Sequence, residues 1–216
     1  MTCEGKKRVF VFYMYVDKGP GTAAPRVRTK HMSEMGGRLL EYAVSRLYRI
    51  GTDELSRSKG EHGKPFFQRH PEIHFNISHS GDLVVCAVSD FEIGIDIQEK
   101  ERLHIELIAK KIMSRNEHER FLVSHSPEEF FFRTWVMKES YVKWTGDGIT
   151  RNLQSLPMDG WHQFLYIDHR FATCVWAGIP LEVAVNEIRE ADLTSYFAAE
   201  AQRVPRSHLV SGTRTF

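Results

Sequence analysis

The chain has only three cysteines in 216 residues, and Cys3, Cys86 and Cys174 lie far apart without a CxxC pair. This scarcity argues against a disulfide framework and a structural zinc site, and it favours a reducing compartment such as the cytoplasm. An excess of charge of one sign is also missing, because 29 Lys and Arg face 28 Asp and Glu. A general nucleic-acid binder needs a basic excess for its phosphate contacts, so any phosphate chemistry must be local.

Long apolar runs are absent as well, since no stretch approaches the roughly 20 residues that span a bilayer. We therefore expect no membrane anchor. One segment resembles a secretory signal, because Lys6, Lys7 and Arg8 precede the apolar stretch from Val9 to Val16. That stretch consists of Val, Phe, Tyr and Met, which favour a strand, and Asp17 closes it. A first β-strand is the favoured interpretation and a signal peptide is the alternative.

The hydrophobic pattern alternates between strand-like and helix-like segments in both halves of the chain. We predict a strand at 9–16, a helix at 31–50 capped by Gly51, a hairpin of 83–89 with 91–97, a helix at 127–144, and strands at 161–167, 171–176 and 181–188. Capping-box spacing occurs at Ser114 with Glu117 and at Ser126 with Glu129. The predicted fold is α+β, with an N-terminal half at 1–99, a C-terminal half at 100–202 and a loose tail at 203–216.

The segment from Phe91 to Gln98 carries the first candidate functional group. If it is a strand, its three isoleucines face one way, and Gly94, Asp96 and Gln98 face the other. A carboxylate beside a residue without a side chain leaves room for a bulky ligand or a metal to approach the backbone. The alternative is a half-buried edge strand with a solvated polar face.

Two more segments carry polar groups of a similar kind. On the helix from Trp135 to Lys143, Glu139 and Lys143 are four residues apart and share a face, which suits a metal beside a phosphate oxygen or an ordinary surface ion pair. The segment from Asn76 to Gly81 contains Ser78 and His79, and we predict a loop that offers hydroxyl, imidazole and backbone N–H groups to a phosphate. A simple hydrogen-bonded turn is the alternative.

In order along the chain, these segments resemble the motifs of the 4′-phosphopantetheinyl transferases, in particular the larger single-chain type that activates peptide and polyketide synthases. The matching segments are Gly63-Lys64-Pro65, Phe75 to Ser80, Ile93 to Asp96 and Trp135 to Lys143, followed by Gly146 and Gly148. The resemblance implies a pseudo-dimer of two α+β halves, each with a small antiparallel sheet and a long helix, with coenzyme A between them. It also implies Mg²⁺-dependent transfer of the phosphopantetheine arm to a carrier-protein serine, with release of adenosine 3′,5′-bisphosphate.

Residue by residue, the resemblance assigns Asp96 and Glu139 to Mg²⁺ and Lys143 to the leaving diphosphate oxygen. It assigns Glu139 to the proton of the serine, taken directly or through a metal-bound water. It assigns Ser78 and His79 to the phosphates of coenzyme A and Lys64 to its adenosine end. Family members commonly carry Glu at the position of Gln98, so Gln98 is expected to bind the metal either directly or through a water. For the 3′-phosphate, the nearby basic candidates are Arg26, Arg28 and Lys30, without a choice among them.

Carrier proteins are small and acidic, so the surface that binds them should be basic and apolar. The stretch from Lys100 to Arg120 has this composition: Lys100, Arg102, Lys110, Lys111, Arg115 and Arg120 alternate with Leu107, Ile108, Ile112 and Met113. We predict a monomer that docks its carrier there. Two other functions stay open, a non-catalytic coenzyme A-binding regulatory module and a divalent-metal phosphohydrolase that cleaves coenzyme A without a carrier.

Overall fold

The computed structural model describes residues 7–17, 25–60, 63–101, 103–148 and 152–203. The strands in these ranges are β1 (Arg8–Tyr15), β2 (Arg57–Lys59), β3 (Pro65–Phe67), β4 (His74–Ser80), β5 (Leu83–Ser89), β6 (Ile93–Glu99), β7 (Trp161–Leu165), β8 (Phe171–Ala177) and β9 (Glu182–Glu187). The α-helices are α1 (Pro25–Tyr48), α2 (Ile105–Ile112), α3 (Arg115–Leu122), α4 (Pro127–Thr145) and α5 (Glu190–Arg203). Within the described ranges, no helix combines the length and hydropathy that a membrane span requires.

The N-terminal sheet has the strand order β4-β5-β1-β9 and is covered on one face by α1. Strand β1 pairs antiparallel with β5 and parallel with β9. Because side chains alternate along a strand, Phe12 and Met14 pack beneath α1, whereas Val9 and Val11 point to the opposite face. This sheet therefore has two buried faces, which explains why β5 contains no exposed residue.

The C-terminal sheet has the order β6-β8-β7, and both of its pairings are antiparallel. Helix α4 packs on one face, where Phe132 and Val136 belong to the same buried cluster as Ala172 and Cys174. The other face meets the N-terminal sheet, and Ile95 and the remaining isoleucines of β6 enter this shared apolar layer. The order of layers is helix, sheet, sheet, helix, and the predicted α+β fold with two similar halves is confirmed. The N-terminal sheet is mixed, however, and not antiparallel as expected, because β9 joins β1 in parallel.

The predicted hairpin of 83–89 and 91–97 is wrong, although both segments are strands. Strand β5 pairs with β4, and β6 pairs with β8 in the other sheet. The link between them leaves the first sheet at Ser89, whose Oγ donates to the Arg8 carbonyl and accepts from the Phe91 amide. A short connection between two apolar runs looks the same in a sequence whether the runs pair or separate.

The predicted loop at 76–81 is also wrong, because all but its last residue belong to β4. The turn lies instead at Gly81 and Asp82, where Gly81 adopts a positive φ of 58°. Strand β4 joins the two halves through side chains: Asn76 Oδ1 accepts from the Ile95 amide, and Ser80 Oγ accepts from the Glu99 amide, both at 2.9 Å. The sequence suggested a loop because the polar residues that bridge to the second sheet are of the types that loops commonly contain.

Helix α1 begins at Pro25 rather than near His31. The predicted start was too late because the first turns of the helix are exposed and carry no apolar period. It ends at Tyr48, and Arg49, with a φ of 59°, takes the left-handed position that we expected at Gly51. Gly51 has an extended conformation and precedes a short 3-10 helix. The loop predicted from Gly19 lies outside the described residues, except for Pro25.

The C-terminal elements follow the sequence more closely. Helix α4 ends at Gly146, whose φ of 75° forms the expected cap, and Pro127 occupies its first turn. The Ser114 and Glu117 capping box is present at α3, whereas the Ser126 side chain makes no capping hydrogen bond at α4. Cys86 and Cys174 are buried and free.

The chain returns to the N-terminal half after β8. The strand predicted at 181–188 is present as β9, but it pairs with β1 and not with the C-terminal sheet. The unpredicted helix α5 then packs on α1, with the Tyr196 and Tyr42 rings 5.1 Å apart. The expected division at residue 99 stays a prediction, and most of the expected tail lies outside the described residues.

Candidate active site

Asp96 lies at the centre of the polar cluster between the two halves. Strand alternation directs Asp96 and Gln98 toward α4 while the isoleucines of β6 face the layer between the sheets, as predicted. Only 2% of Asp96 is exposed. A carboxylate so deeply buried needs ionic or hydrogen-bonding partners, because an uncompensated charge in the interior is costly.

Gly94 does not leave the open space that its sequence context suggested. A Cβ atom at this position would lie 2.1 Å from the Ser140 carbonyl oxygen and 2.4 Å from the Trp144 amide nitrogen. The backbone of α4 therefore fills the space in which we had predicted a ligand or a metal. Close contact between β6 and α4 is what brings the two functional segments together.

Three side chains form a hydrogen-bonded triangle at this junction. Lys143 Nζ donates to Asp96 Oδ1 at 2.6 Å and to Ser78 Oγ at 2.8 Å, and Ser78 Oγ donates to Asp96 Oδ1 at 2.8 Å. The members come from α4, β6 and β4, so the triangle joins the N-terminal sheet to the C-terminal half. Lys143 pairs with Asp96 across the interface and not with Glu139 along its own helix.

Glu139 lies one turn before Lys143 on the same face of α4 and is half-buried. Burial raises the pKa of the Glu139 carboxyl, the nearby Asp96 raises it further, and Lys143 partly offsets both effects. A carboxylate with a raised pKa is a better proton acceptor than an exposed glutamate. The site therefore contains one paired carboxylate and one available to act as a base.

His79 follows Ser78 on β4 and points to the other side, next to α1. Its Nε2 lies 3.3 Å from Ser33 Oγ. Burial lowers the pKa of His79, and Lys143 lowers it further, whereas Asp96 acts in the opposite direction. Near neutral pH this imidazole is mainly neutral, so it can offer a hydrogen bond to a phosphate but little positive charge.

Lys64 lies at the mouth of the cleft. Its Nζ donates to the Trp144 carbonyl at 2.9 Å, to the Ile93 carbonyl at 3.4 Å and to the Glu92 carboxylate. These bonds hold the segment before β3 against the C-terminal end of α4. The adjoining cleft has a volume of about 250 Å³. It is lined by Gly63, Lys64, Pro65, Asn76, Glu139, Val142, Lys143, Gly146 and Gly148.

The three basic candidates near the N-terminus lie on α1 and not on a loop. Because they are spaced by two residues, the helix places Arg28 on the side opposite Arg26 and Lys30. Arg28 Nη2 donates to the Gly81 carbonyl at 2.9 Å, which brings it to the β4–β5 turn. Lys30 lies 3.7 Å from Glu34. The three side chains therefore do not form a single cluster.

The donor set suits magnesium. Asp96 and Glu139 supply carboxylate oxygens, and Mg²⁺ is commonly held by one or two carboxylates together with substrate phosphates and waters. Gln98 Nε2 donates to Asp96 Oδ2 at 3.2 Å, so the amide nitrogen of Gln98, and not its oxygen, faces this carboxylate. Among the described residues no group of three His, Cys, Asp or Glu forms a complete protein cage.

Two residues near the site were not found from the sequence. Ser33 contacts His79 from α1, and nothing in its local pattern distinguishes it from other exposed helical serines. Lys138 precedes Glu139 and has only 2% of its side chain exposed. The aromatic character of α4 could have indicated that a lysine there would be buried.

Comparison with known proteins gives two family models that adjoin in the sequence. Residues 27–91 match the model "4′-phosphopantetheinyl transferase, N-terminal", and residues 92–177 match the 4′-phosphopantetheinyl transferase superfamily. A holo-[acyl-carrier-protein] synthase from Thermotoga maritima aligns at a TM-score of 0.32 with 22% identity, over 40% of this chain and 61% of that one. At that score the structural likeness is too weak to bear on this chain.

Curated relatives match the same region. Sfp, a 4′-phosphopantetheinyl transferase of Bacillus subtilis, is 36% identical over 140 residues, which cover 64% of this chain and 60% of Sfp. The transferase psf-1 of Bacillus pumilus is 35% identical over 147 residues, covering 65% of this chain and 62% of psf-1. The chain thus spans about three fifths of the length of these relatives. Since both adjoining models describe one family and together span residues 27–177, the chain belongs to the 4′-phosphopantetheinyl transferase superfamily, and it is of the Sfp type.

Proposed function

We propose that this protein transfers the 4′-phosphopantetheine arm of coenzyme A to a serine of an acyl or peptidyl carrier protein in a magnesium-dependent reaction. The observation that carries the proposal is the buried Asp96–Ser78–Lys143 triangle beside the more basic carboxylate of Glu139. Binding coenzyme A alone would not require a base next to a buried acid and an ammonium. A cytoplasmic location and a monomeric state remain predictions.

In this reaction the serine oxygen forms a bond to the phosphorus that carries the pantetheine arm. The bond from that phosphorus to the bridging oxygen of the diphosphate breaks, and this oxygen leaves with adenosine 3′,5′-bisphosphate. Glu139 takes the proton of the serine hydroxyl as the general base. Lys143 holds or protonates the leaving oxygen, for which it must shift from Asp96 toward the diphosphate.

Asp96 and Glu139 would hold Mg²⁺, which when bound neutralises charge on the diphosphate. His79 and Arg28 lie where they could contact phosphates of coenzyme A, with Arg26 and Lys30 as further candidates for its 3′-phosphate. Ser78 would act on the phosphates mainly through Lys143, because its hydroxyl is already donated to Asp96. Lys64 would border the adenosine end while it keeps the cleft wall in place.

The test is intact mass spectrometry of a purified apo carrier protein incubated with this protein, coenzyme A and Mg²⁺. We expect the carrier to gain the mass of one phosphopantetheine arm and the gain to be lost when EDTA is added. Coenzyme A binding without any gain, across fatty-acid and peptide carriers, would instead indicate a regulatory binding module. Coenzyme A consumed without carrier modification would indicate a phosphohydrolase.

Gln98 offers a test of the metal site. The Gln98→Glu variant replaces the amide that donates to Asp96 with a second carboxylate, so two anions would repel each other without metal and both attract Mg²⁺ with it. We expect apparent Mg²⁺ affinity, measured from titrated turnover, to rise about tenfold, within the range of effects that neighbours of metal ligands have. An unchanged affinity would place residue 98 outside the coordination shell.

The predicted docking surface lies on α2 and α3, and its apolar members need correction. Ile112 and Met113 are buried against α4, so they cannot contact a partner. The exposed apolar side chains near these helices are Leu103, Leu107, Leu122 and Val123. Lys110, Lys111, Arg115 and Arg120 are exposed beside them, while Lys100 pairs with Glu129 and Arg102 lies outside the described residues.

Charge reversal tests this surface. In the triple variant Lys110→Glu, Lys111→Glu and Arg115→Glu, repulsion from an acidic carrier should raise the apparent KM for the carrier at least about tenfold, and the KM for coenzyme A should not change. The matched control reverses three exposed basic residues elsewhere, in Arg46→Glu, Lys59→Glu and Arg69→Glu. Equal effects in both variants would mean that net charge, and not this surface, governs carrier binding.

A further inference from the structure

Lys138 is a buried cation that the proposed chemistry does not use. Its Nζ lies 2.8 Å from Glu117 Oε2 and donates to the Leu153 carbonyl at 2.7 Å. Removing an ammonium from water is costly, and a buried ion pair often contributes no more stability than apolar residues of the same size. The effect of Lys138 that needs explanation is therefore the relative placement of the elements that its two bonds connect.

Both partners of Lys138 belong to elements that support the docking surface, which comprises the exposed residues of α2 and α3. Glu117 Oε2 also accepts from the Ser114 amide at 2.7 Å, so one carboxylate caps α3 and binds α4. Leu153 begins a short 3-10 helix, Leu153–Ser155, whose Gln154 Nε2 donates to the Lys110 carbonyl at 2.6 Å on α2. The Lys138 ammonium thus links α3 to α4 directly, and it links α2 to α4 through the 3-10 helix.

That helix is α4, which also carries Glu139 and Lys143. Lys138 and Glu139 are adjacent, so they point about 100° apart, one toward the docking surface and the other toward Asp96. We propose that Lys138 is a positioning residue that holds the docking surface in register with Glu139, so that a docked carrier presents its serine at the base. This inference rests on the proposed function. An error of 1 Å in such placement can lower a rate about 100-fold.

The test must separate positioning from stability. The single variant Lys138→Met leaves the Glu117 carboxylate without its cation and the Leu153 carbonyl without its donor, and we expect it to melt at a lower temperature. The double variant Lys138→Met with Glu117→Gln removes both charges together and keeps an acceptor for the Ser114 amide. It should recover most of the lost melting temperature while the bonds between α4 and its neighbours stay broken.

We expect the double variant to show a kcat/KM for the carrier about 100-fold below that of the wild type, with an unchanged KM for coenzyme A. Its backbone amides in 105–122 should exchange hydrogen faster, whereas those of α4 should not. The matched control neutralises an ion pair in the other half, Arg57→Met with Glu41→Gln, whose side chains lie 3.3 Å apart. In the control, carrier kinetics and exchange in 105–122 should match the wild type.

Two results would overturn the proposal. Carrier kinetics that return to wild-type values together with the melting temperature would make the ion pair purely stabilising, and wild-type exchange rates in 105–122 would show that α2 and α3 do not depend on it. If the wild type modified no carrier but exchange still rose in the double variant, the proposed function would fail while the positioning of α2 and α3 by Lys138 would stand.

Discussion

The Glu139→Gln variant is expected to lower kcat for carrier modification by about 10²- to 10⁴-fold, the contribution that a general base makes. Glutamine has nearly the same shape as glutamate and retains an oxygen that can face a metal, but its amide cannot take up the proton of the serine hydroxyl. Burial and Asp96 both raise the pKa of Glu139, which suits this task. The measurement is single-turnover mass spectrometry at saturating Mg²⁺, coenzyme A and carrier.

The control for this variant is Glu128→Gln, the same chemical change at an exposed position in the first turn of α4. It should leave turnover unchanged. Coenzyme A affinity, measured by calorimetry, should change little in Glu139→Gln, because the phosphates contact other groups. Turnover within a few-fold of the wild type would remove Glu139 from the role of base, whether or not the protein is a transferase.

The Gly94→Ala variant should have the largest effect on stability. The added Cβ atom would lie 2.1 Å from the Ser140 carbonyl oxygen and 2.4 Å from the Trp144 amide nitrogen, and both are backbone atoms that no side-chain rotation can move away. Helix α4 would have to move off β6, at a cost at or above the upper end of the usual range for overpacking, about 3 kcal/mol. Urea unfolding of the purified variant measures this loss.

A shift of α4 would also separate Lys143 from Asp96, so any folded Gly94→Ala protein should be slow in turnover. Gly60→Ala is the matched control, because the nearest atom to its added Cβ, the Lys64 carbonyl oxygen, lies at 3.4 Å. It should cost well under 1 kcal/mol, as surface substitutions usually do. If both variants unfolded at the same urea concentration, the contact between β6 and α4 would be loose enough to accept a Cβ atom at residue 94.

Local patterns in the sequence predicted the parts of the site that depend on a single element. Strand alternation is enough to place Asp96 on the face opposite the isoleucines. Pro127 and Gly146 mark the two ends of α4, although the expected cap at Ser126 does not form. The partner of Lys143 was not predictable in this way. Spacing along the helix suggested Glu139, whereas the structure places Asp96 of β6 at 2.6 Å. Such a contact depends on how β6 and α4 pack.

Pairing between distant segments explains the errors in the fold. The segment that contains Ser78 has the composition of a loop, and it is a strand because β5 pairs along its whole length. In the same way, nothing local in 181–188 shows that its partner is β1. Lys138 and Lys143 are both lysines of one helix, yet one is buried beneath α3 and the other faces Asp96, a distinction made only by the elements that pack around α4.

The parallel pairing of β1 with β9 affects how the chain can fold during its synthesis. During synthesis, β5 can pair with one edge of β1 soon after both strands have left the ribosome. The other edge of β1 stays unpaired until the entire C-terminal sheet and β9 have been made. An unpaired edge of an apolar strand invites association with other chains. A truncation before β9 leaves this edge unpaired, so we expect it to aggregate even though it retains every proposed catalytic residue.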